Sequence, residues 1–236
     1  MMDEGKRALV ICAHDDDEVI ALGGTIRKLA NSGISVTTVV FAQGNEGYST
    51  LDEKDSIVDR RRREREEAER ILGTARCIAY DYHDYDNLDC ESVYKEVIRC
   101  VRDVQPHIVF SHLSADYLAH RTLANTVPEA VWQAGWQASL AQGEPWRVNN
   151  LYLFSVLETV TKPTHVVDIT ATFEAKLKAM QSFSSQHEVV PDILDQLELK
   201  ARMCGSMISV RYGEAFVRSN YMPAAVSDPC SLINGY

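Results

Sequence analysis

The chain has 236 residues, 45% hydrophobic and 25% charged, with a formal net charge of −10. That length and composition suit one globular domain, residues 1–236, with a sizeable core, and no Pro/Gly/Ser-rich linker or low-complexity tract divides it. The acidic balance excludes a nucleic-acid binder, which needs a basic footprint, and the Arg60–Arg63 cluster, followed by Glu64, Glu66 and Glu67, reads as a charged helix face.

Strand and helix patterns alternate through the first half. Arg7–Cys12 is an apolar run that predicts a buried strand. Leu22, Ile26, Leu29 and Ala30 fall on one helical face, and Gly33 is placed to cap that helix. Ile34–Phe41, rich in Val and Thr, predicts a second strand, and Ala42–Leu51 a polar loop. Ser56–Leu72 reads as a charged helix ended by Gly73, and Arg76–Tyr80 as a short strand. The loop Asp81–Asn87 follows, then a helix over Glu91–Val104 ended by Pro106. His107–Ser111 predicts a fourth strand, and the loop beyond it leads into a helical region that Pro128 breaks or restarts. Later, Leu151–Val156 and His165–Ile169 read as strands, and Thr170–Phe183 and Asp192–Met207 as helices. Strands separated by helices of this length predict an α/β fold, a Rossmann-like, mostly parallel sheet flanked by helices.

No apolar run is long enough to span a bilayer, and Met1–Lys6 lacks the apolar stretch of a signal peptide. The six cysteines, Cys12, Cys77, Cys90, Cys100, Cys204 and Cys230, contain no C-x-x-C pair, which suits a reducing compartment. A cytoplasmic location with no membrane partner is therefore expected.

Four polar loops, starting at Ala13, Gln43, Asp81 and His112, follow the four predicted strands. In a parallel sheet those ends lie along one edge, where ligands bind. The first loop, Ala13–Glu18, packs an imidazole and four carboxylates between a strand and a helix. Carboxylates this close repel one another, and a bound cation would offset that. His14 and Asp17 can both reach one metal ion, leaving Asp16 free for proton transfer. His120, from the loop after the fourth strand, would complete a His, Asp, His set with a fourth position left for water. His83 and His112 read as structural histidines or as neighbours of the ligands, and His107 as a surface residue at a strand start. The loop tyrosines serve either to stack on a sugar ring or to pack the loop. Dinucleotide binding is set aside, because Gly23-Gly24 stands too late and the G-x-G-x-x-G spacing is absent.

Ala13-His14-Asp15-Asp16-Asp17-Glu18, followed by Gly23-Gly24-Thr25, resembles the hallmark A-H-P-D-D-E and G-G-T of the PIG-L/LmbE-like zinc-dependent N-acetylglucosaminyl deacetylases. Gln43–Gly47, Arg61 with Glu64, Asp84, Pro106–Ser111, His120-Arg121, Lys176, Ser185-Gln186 and Val210–Phe216 resemble further segments of that family, in order. The resemblance implies Zn²⁺, or another divalent metal, held by His14, Asp17 and His120, with Asp16 as general base. It implies that Glu46, Arg61 and Asp84 contact an amino-sugar substrate. Relatives often form closed homo-oligomers, and the sequence leaves the oligomeric state of this chain open. Removal of an N-acetyl group from an N-acetylglucosamine-type sugar or glycoconjugate is the expected activity. An amidase acting on a non-sugar acyl amide, or a weakened or inactive carbohydrate-binding homologue, would share these residues.

Two departures stand out. Asp15 replaces the family's Pro, which adds charge beside the base and would raise the pKa of Asp16. Many relatives carry H-P-D-H, whose first His stabilises the oxyanion or protonates the amine. Here the stretch is Asp116-Tyr117-Leu118-Ala119-His120, with Leu or Ala where that His and Asp are expected. His112 is then the nearest candidate for the missing catalytic group, unless Asp16 serves as base and then as acid. A further family His, before Ser-Gln, is Phe183.

Overall fold

A computed structural model describes residues 5–114 and 116–221. Met1–Glu4 and Cys230, used in the reading above, lie outside the described residues.

The first strand, β1 (Arg7–Cys12), is buried on both faces. Leu9 and Ile11 point into one hydrophobic layer, and Ala8, Val10 and Cys12 into the other. This two-sided burial is why its sequence is continuously apolar rather than alternating. Helix α1 (Asp17–Asn31) leads to β2 (Ser35–Ala42), α2 (Ile57–Leu72) to β3 (Arg76–Tyr82), α3 (Glu91–Val104) to β4 (Ile108–His112), and α4 (Leu118–Gln133) to β5 (Leu151–Phe154). The second half adds β6 (His165–Asp168), α5 (Phe173–Gln181), α6 (Ser184–Val189), α7 (Ile193–Ser206) and β7 (Gly213–Arg218). The sheet order is β3-β2-β1-β4-β5-β7-β6. The pairs among β3, β2, β1, β4 and β5 are all parallel, and β7 runs antiparallel to both β5 and β6. The mostly parallel α/β sheet expected from the sequence is the one found.

Helices α3 and α4 cover one face of the sheet with Val93, Val97, Val101, Leu123, Val127 and Val131. Helices α1, α2, α5 and α7 cover the other, through Leu22, Ile26, Leu72, Met180 and Leu197. The crossover therefore changes sides between β1 and β4. That reversal opens a crevice at the strand C-termini, where α/β sheets bind ligands.

Several details depart from the expected elements. Helix α4 runs on through Pro128 rather than breaking there. The fourth strand is shifted by one residue, so His112 ends β4 instead of opening the loop. The expected helix over Thr170–Phe183 starts later and is followed by the separate short helix α6. Strand β7 was not expected as a strand. It carries Glu214, a 3% exposed carboxylate that accepts from Gly24 N, Thr25 N, Thr25 Oγ1 and Lys176 Nζ at 2.6–3.0 Å. These bonds fall where α1 is kinked at Leu22 (φ −143°), and they satisfy amides that the kink frees. A side chain at Gly24 would collide with Ile169, which explains the small residue there.

Candidate metal centre and active site

The loop after β1 and the start of α1 place His14, Asp16 and Asp17 beside α4, which brings His120 across from the end of β4. His14 Nδ1 lies 3.3 Å from His120 Nε2, and His120 Nε2 lies 3.1 Å from Asp17 Oδ1. One donor atom from each of the three lies within 4.8 Å of the other two. Two imidazoles and a carboxylate, with room left for substrate or water, are the donor set of a catalytic divalent-metal site, so these residues fit such an ion. A second grouping, His112, Asp116 and His120, also has donor atoms in reach of one another. It fits poorly, because both oxygens of Asp116 are already taken by backbone amides and His112 Nε2 accepts from the Ala13 amide.

The four carboxylates of the opening loop meet four different fates. Asp15 pairs with Arg65 at 2.6 Å, and Asp16 with Arg61 at 3.2 Å. Asp17 is buried, which alone would raise its pKa, but His120 beside it holds it well below the usual carboxylate range. Burial, reinforced by Glu69 and Asp15, drives the Glu18 pKa well upward and so disfavours its charged form. The repulsion that motivated a cation is thus relieved residue by residue. Asp16 is raised as Asp15 led us to expect. The leading cause is burial, opposed by Arg61 and assisted by Asp17, with Asp15 the weakest of the named influences.

Asp116 holds His120. Its Oδ2 lies 3.2 Å from His120 Nδ1 and accepts from Val156 N at 2.9 Å, while Oδ1 accepts from Leu157 N at 3.2 Å. Burial works against its charge, but His120 and the Val156 amide win and hold its pKa at about 2. His120 rises in turn to about 9, because Asp17 and Asp116 outweigh its burial. A carboxylate behind an imidazole fixes which nitrogen faces the metal. Lys200 steadies the same loop by donating to the carbonyls of Ser155 and Val156.

A cleft of about 390 Å³ opens on this centre, lined by His14, Asp16, Glu46, Arg61, Asp84 and Tyr117 among others. Asp84 Oδ1 and Oδ2 accept from Gly44 N and Glu46 N at 2.8 and 2.9 Å, so this carboxylate anchors the loop after β2. Gly44 has φ +72°, and a Cβ there or at Gly47 would sit within 2.6 Å of the Arg61 guanidinium. Both glycines let that loop close over Arg61. On α2, Arg61, Glu64 and Arg65 face inward, so the expected charged face is in part a buried one. Glu64 accepts from Ser185 N and Oγ at 2.9 and 2.6 Å, which joins two segments that looked unrelated in the sequence.

The expected residues separate into groups. His14, Asp16, Glu46, Arg61 and Asp84 line the cleft, and Asp17 and His120 lie beneath it. His112 lies behind Asp17, 0% exposed, with Nε2 3.2 Å from Asp17 Oδ2 and 3.0 Å from the Ala13 amide nitrogen. Burial lowers its pKa to about 4 and keeps it neutral. It does not line the cleft, so the catalytic role expected of it meets a ring that reaches substrate only through Asp17. Of the loop tyrosines, Tyr85 lines the cleft, whereas Tyr82 packs on Phe41 and bonds Glu96. His107 is exposed at the far end of β4. Sequence reasoning missed Asp116, Arg65 and Tyr117. Tyr117 stands three residues before His120, and that spacing is its one sequence signal.

The chain is 31% identical over 225 residues to a diacetylchitobiose deacetylase from Thermococcus kodakarensis, covering 89% of this chain and 81% of that protein. The solved N,N'-diacetylchitobiose deacetylase from Pyrococcus horikoshii, in complex with an inhibitor, superposes with a TM-score of 0.85 at 28% identity, over 96% of this chain and 88% of that one. A 4-carboxy-2-hydroxymuconate hydratase from Pseudomonas putida shares the fold with a TM-score of 0.81 at 23% identity, over 94% of this chain and 99% of that one. The fold alone therefore does not fix the reaction. Residues 9–131, from β1 through most of α4, match the family model described as PIG-L, GlcNAc-PI de-N-acetylase, and the chain belongs to that family.

Proposed function

We propose that the chain is a metal-dependent hydrolase that removes the N-acetyl group from an N-acetylglucosamine-type sugar or glycoconjugate, releasing acetate and an amine. The observation that carries this reading is a His14, Asp17, His120 donor set at the floor of the cleft that a buried, upward-shifted Asp16 lines. It agrees with the family and with the deacetylases that the chain resembles at 28–31% identity.

His14, Asp17 and His120 would hold the divalent ion, with Zn²⁺ the ion we propose. When bound, it supplies Lewis-acid polarisation of an amide carbonyl and acidifies water. Asp16 then acts as general base. It takes a proton from the attacking water as the new C–O bond forms and the carbonyl π pair moves onto oxygen. As the C–N bond breaks, Asp16 returns that proton to the departing nitrogen. A carboxyl with a raised pKa suits both steps, because it can hold the proton between them. Arg61 fixes the Asp16 carboxylate by one hydrogen bond and limits how far its pKa rises. Glu46 and Asp84 offer carboxylate oxygens to sugar hydroxyls, and Tyr85 offers a ring face at the rim. His112 positions Asp17 from behind.

Among the described residues no helix is long and apolar enough to cross a membrane. The five described cysteines are free thiols, which suits the cytoplasmic setting we propose. Metal analysis of the purified protein, followed by acetate release from N-acetylglucosamine and its disaccharide, tests the reading. Protein that neither retains nor binds zinc, or zinc-loaded protein that releases no acetate, would overturn it.

A further inference from the structure

Two donors near this cleft that could steady an oxyanion are committed elsewhere, and two neighbouring residues offer none. His112 is sealed behind Asp17. Arg61 is bonded to Asp16. Leu118 and Ala119, which precede His120, bear no donor on their side chains. Tyr117 is different. It lines the cleft beside Asp16 and His14. Its ring stacks on His14 at 27° between planes and lies 4.1 Å from the His120 ring, centroid to centroid. Its hydroxyl sits 3.2 Å from His14 Nδ1, the same nitrogen that faces His120 Nε2.

That contact has a consequence. With His14 in the tautomer that a metal ligand needs, Nδ1 unprotonated, the phenol donates to its lone pair, and a metal bound there would take that lone pair. Once the nitrogen becomes a ligand, Tyr117 loses this acceptor and keeps a free O–H at the mouth of the donor set, on the side open to substrate. The two flanking imidazoles hold its ring in place, so little reorientation is needed to offer that O–H to a new acceptor.

Resting on the deacetylase reading of the site, we propose that Tyr117 is a catalytic residue whose phenol donates a hydrogen bond to the oxyanion formed from the substrate's amide carbonyl. The phenol keeps its proton throughout. The proton and electron movements remain those of water, Asp16 and the amide.

The test compares wild type with Tyr117→Phe in the full chain, after equal zinc content and equal melting behaviour have been verified. Loss of one oxyanion donor lowers kcat by roughly 10²–10³-fold with KM little changed. A glucosamine methylphosphonamidate, tetrahedral at the atom replacing the carbonyl carbon, binds Tyr117→Phe more weakly by a similar factor, whereas glucosamine binds both proteins alike. Zinc alone, added to metal-free wild type, produces a tyrosine difference spectrum that Tyr117→Phe lacks. Equal kcat, equal analogue affinity or an unchanged zinc difference spectrum in the variant would each overturn the proposal. If the wild type released no acetate, the deacetylase reading would fall. The analogue and zinc arms would still decide Tyr117 separately.

Discussion

Replacing Asp116 by Asn removes one charge and almost no volume, and it isolates what the carboxylate behind His120 contributes. In the native protein both oxygens of Asp116 are acceptors, from Val156 N, Leu157 N and His120 Nδ1 at 2.9–3.2 Å. An Asn amide keeps one acceptor oxygen and points a donor at groups that are themselves donors. One buried N–H then loses its partner, at a cost of about 1–3 kcal/mol. His120 also loses the anion that fixes its ring, and such partners typically change metal affinity by about 10–100-fold. The same carboxylate makes stability depend on acid. Its pKa is held at about 2, below the unfolded value. Its stabilisation is therefore complete above the unfolded pKa of roughly 4, and it is lost as pH falls toward 2. Melting curves from neutral pH downward, with zinc competition titrations at neutral pH, measure both effects. Asp116→Asn should melt lower at neutral pH, approach the wild type in acid, and bind zinc more weakly. A variant with wild-type zinc affinity and an unchanged acid limb would refute this account of how His120 is held.

Other outcomes follow from the same geometry. Asp16→Asn should abolish acetate release while retaining bound metal, as metal analysis of the inactive protein would verify. The His120 pKa of about 9 in the metal-free protein means that metal must displace a proton. Zinc affinity should then rise about tenfold per pH unit up to that value, with roughly one proton released per zinc near neutrality in an indicator titration. Gly44→Ala places a Cβ 2.6 Å from Arg61 Nε at φ +72°, and it should lower turnover by displacing the partner of Asp16 while leaving the metal content intact. Glu214→Ala leaves Lys176 buried without its anion, and chemical denaturation should show a loss of about 3–5 kcal/mol.

The parallel half of the fold was legible because β1, β2 and β4 are buried on both faces and rich in apolar and β-branched residues, with helices of clear period between them. Strand β7 was not, because its first residues are Gly213 and Glu214, and the inward carboxylate answers Lys176 and α1 rather than any local pattern. Helix α2 misled for a related reason. Its inward stripe contains Arg61, Glu64 and Arg65, whose partners lie on the loop after β1 and on α6. Helix α4 passes through Pro128 because packing against α3 and β4 outweighs the missing amide.

In the site, the crowded loop His14–Glu18 was readable from its electrostatics alone, and His120 from its place after β4. What could not be read was which charge answers which. Asp15 finds Arg65, fifty positions away, and Asp116 finds amides forty positions on. Such pairings belong to the tertiary fold and leave no local periodicity. Tyr117 escaped for a simpler reason: counted back from His120, the first His of H-P-D-H falls on Tyr117 and not on Leu118.

The central claim is that this cleft adds water to an acetamide and expels acetate. Hydrolysis of an N-acetylglucosamine disaccharide by the zinc-loaded protein in oxygen-labelled water tests it most directly. The account predicts equal amounts of acetate and free amine, with the label in the acetate carboxylate and none in the sugar, and no product from Asp16→Asn. Zinc-loaded protein that binds the sugar yet yields no acetate, or that returns labelled sugar with its acetamide intact, would contradict it.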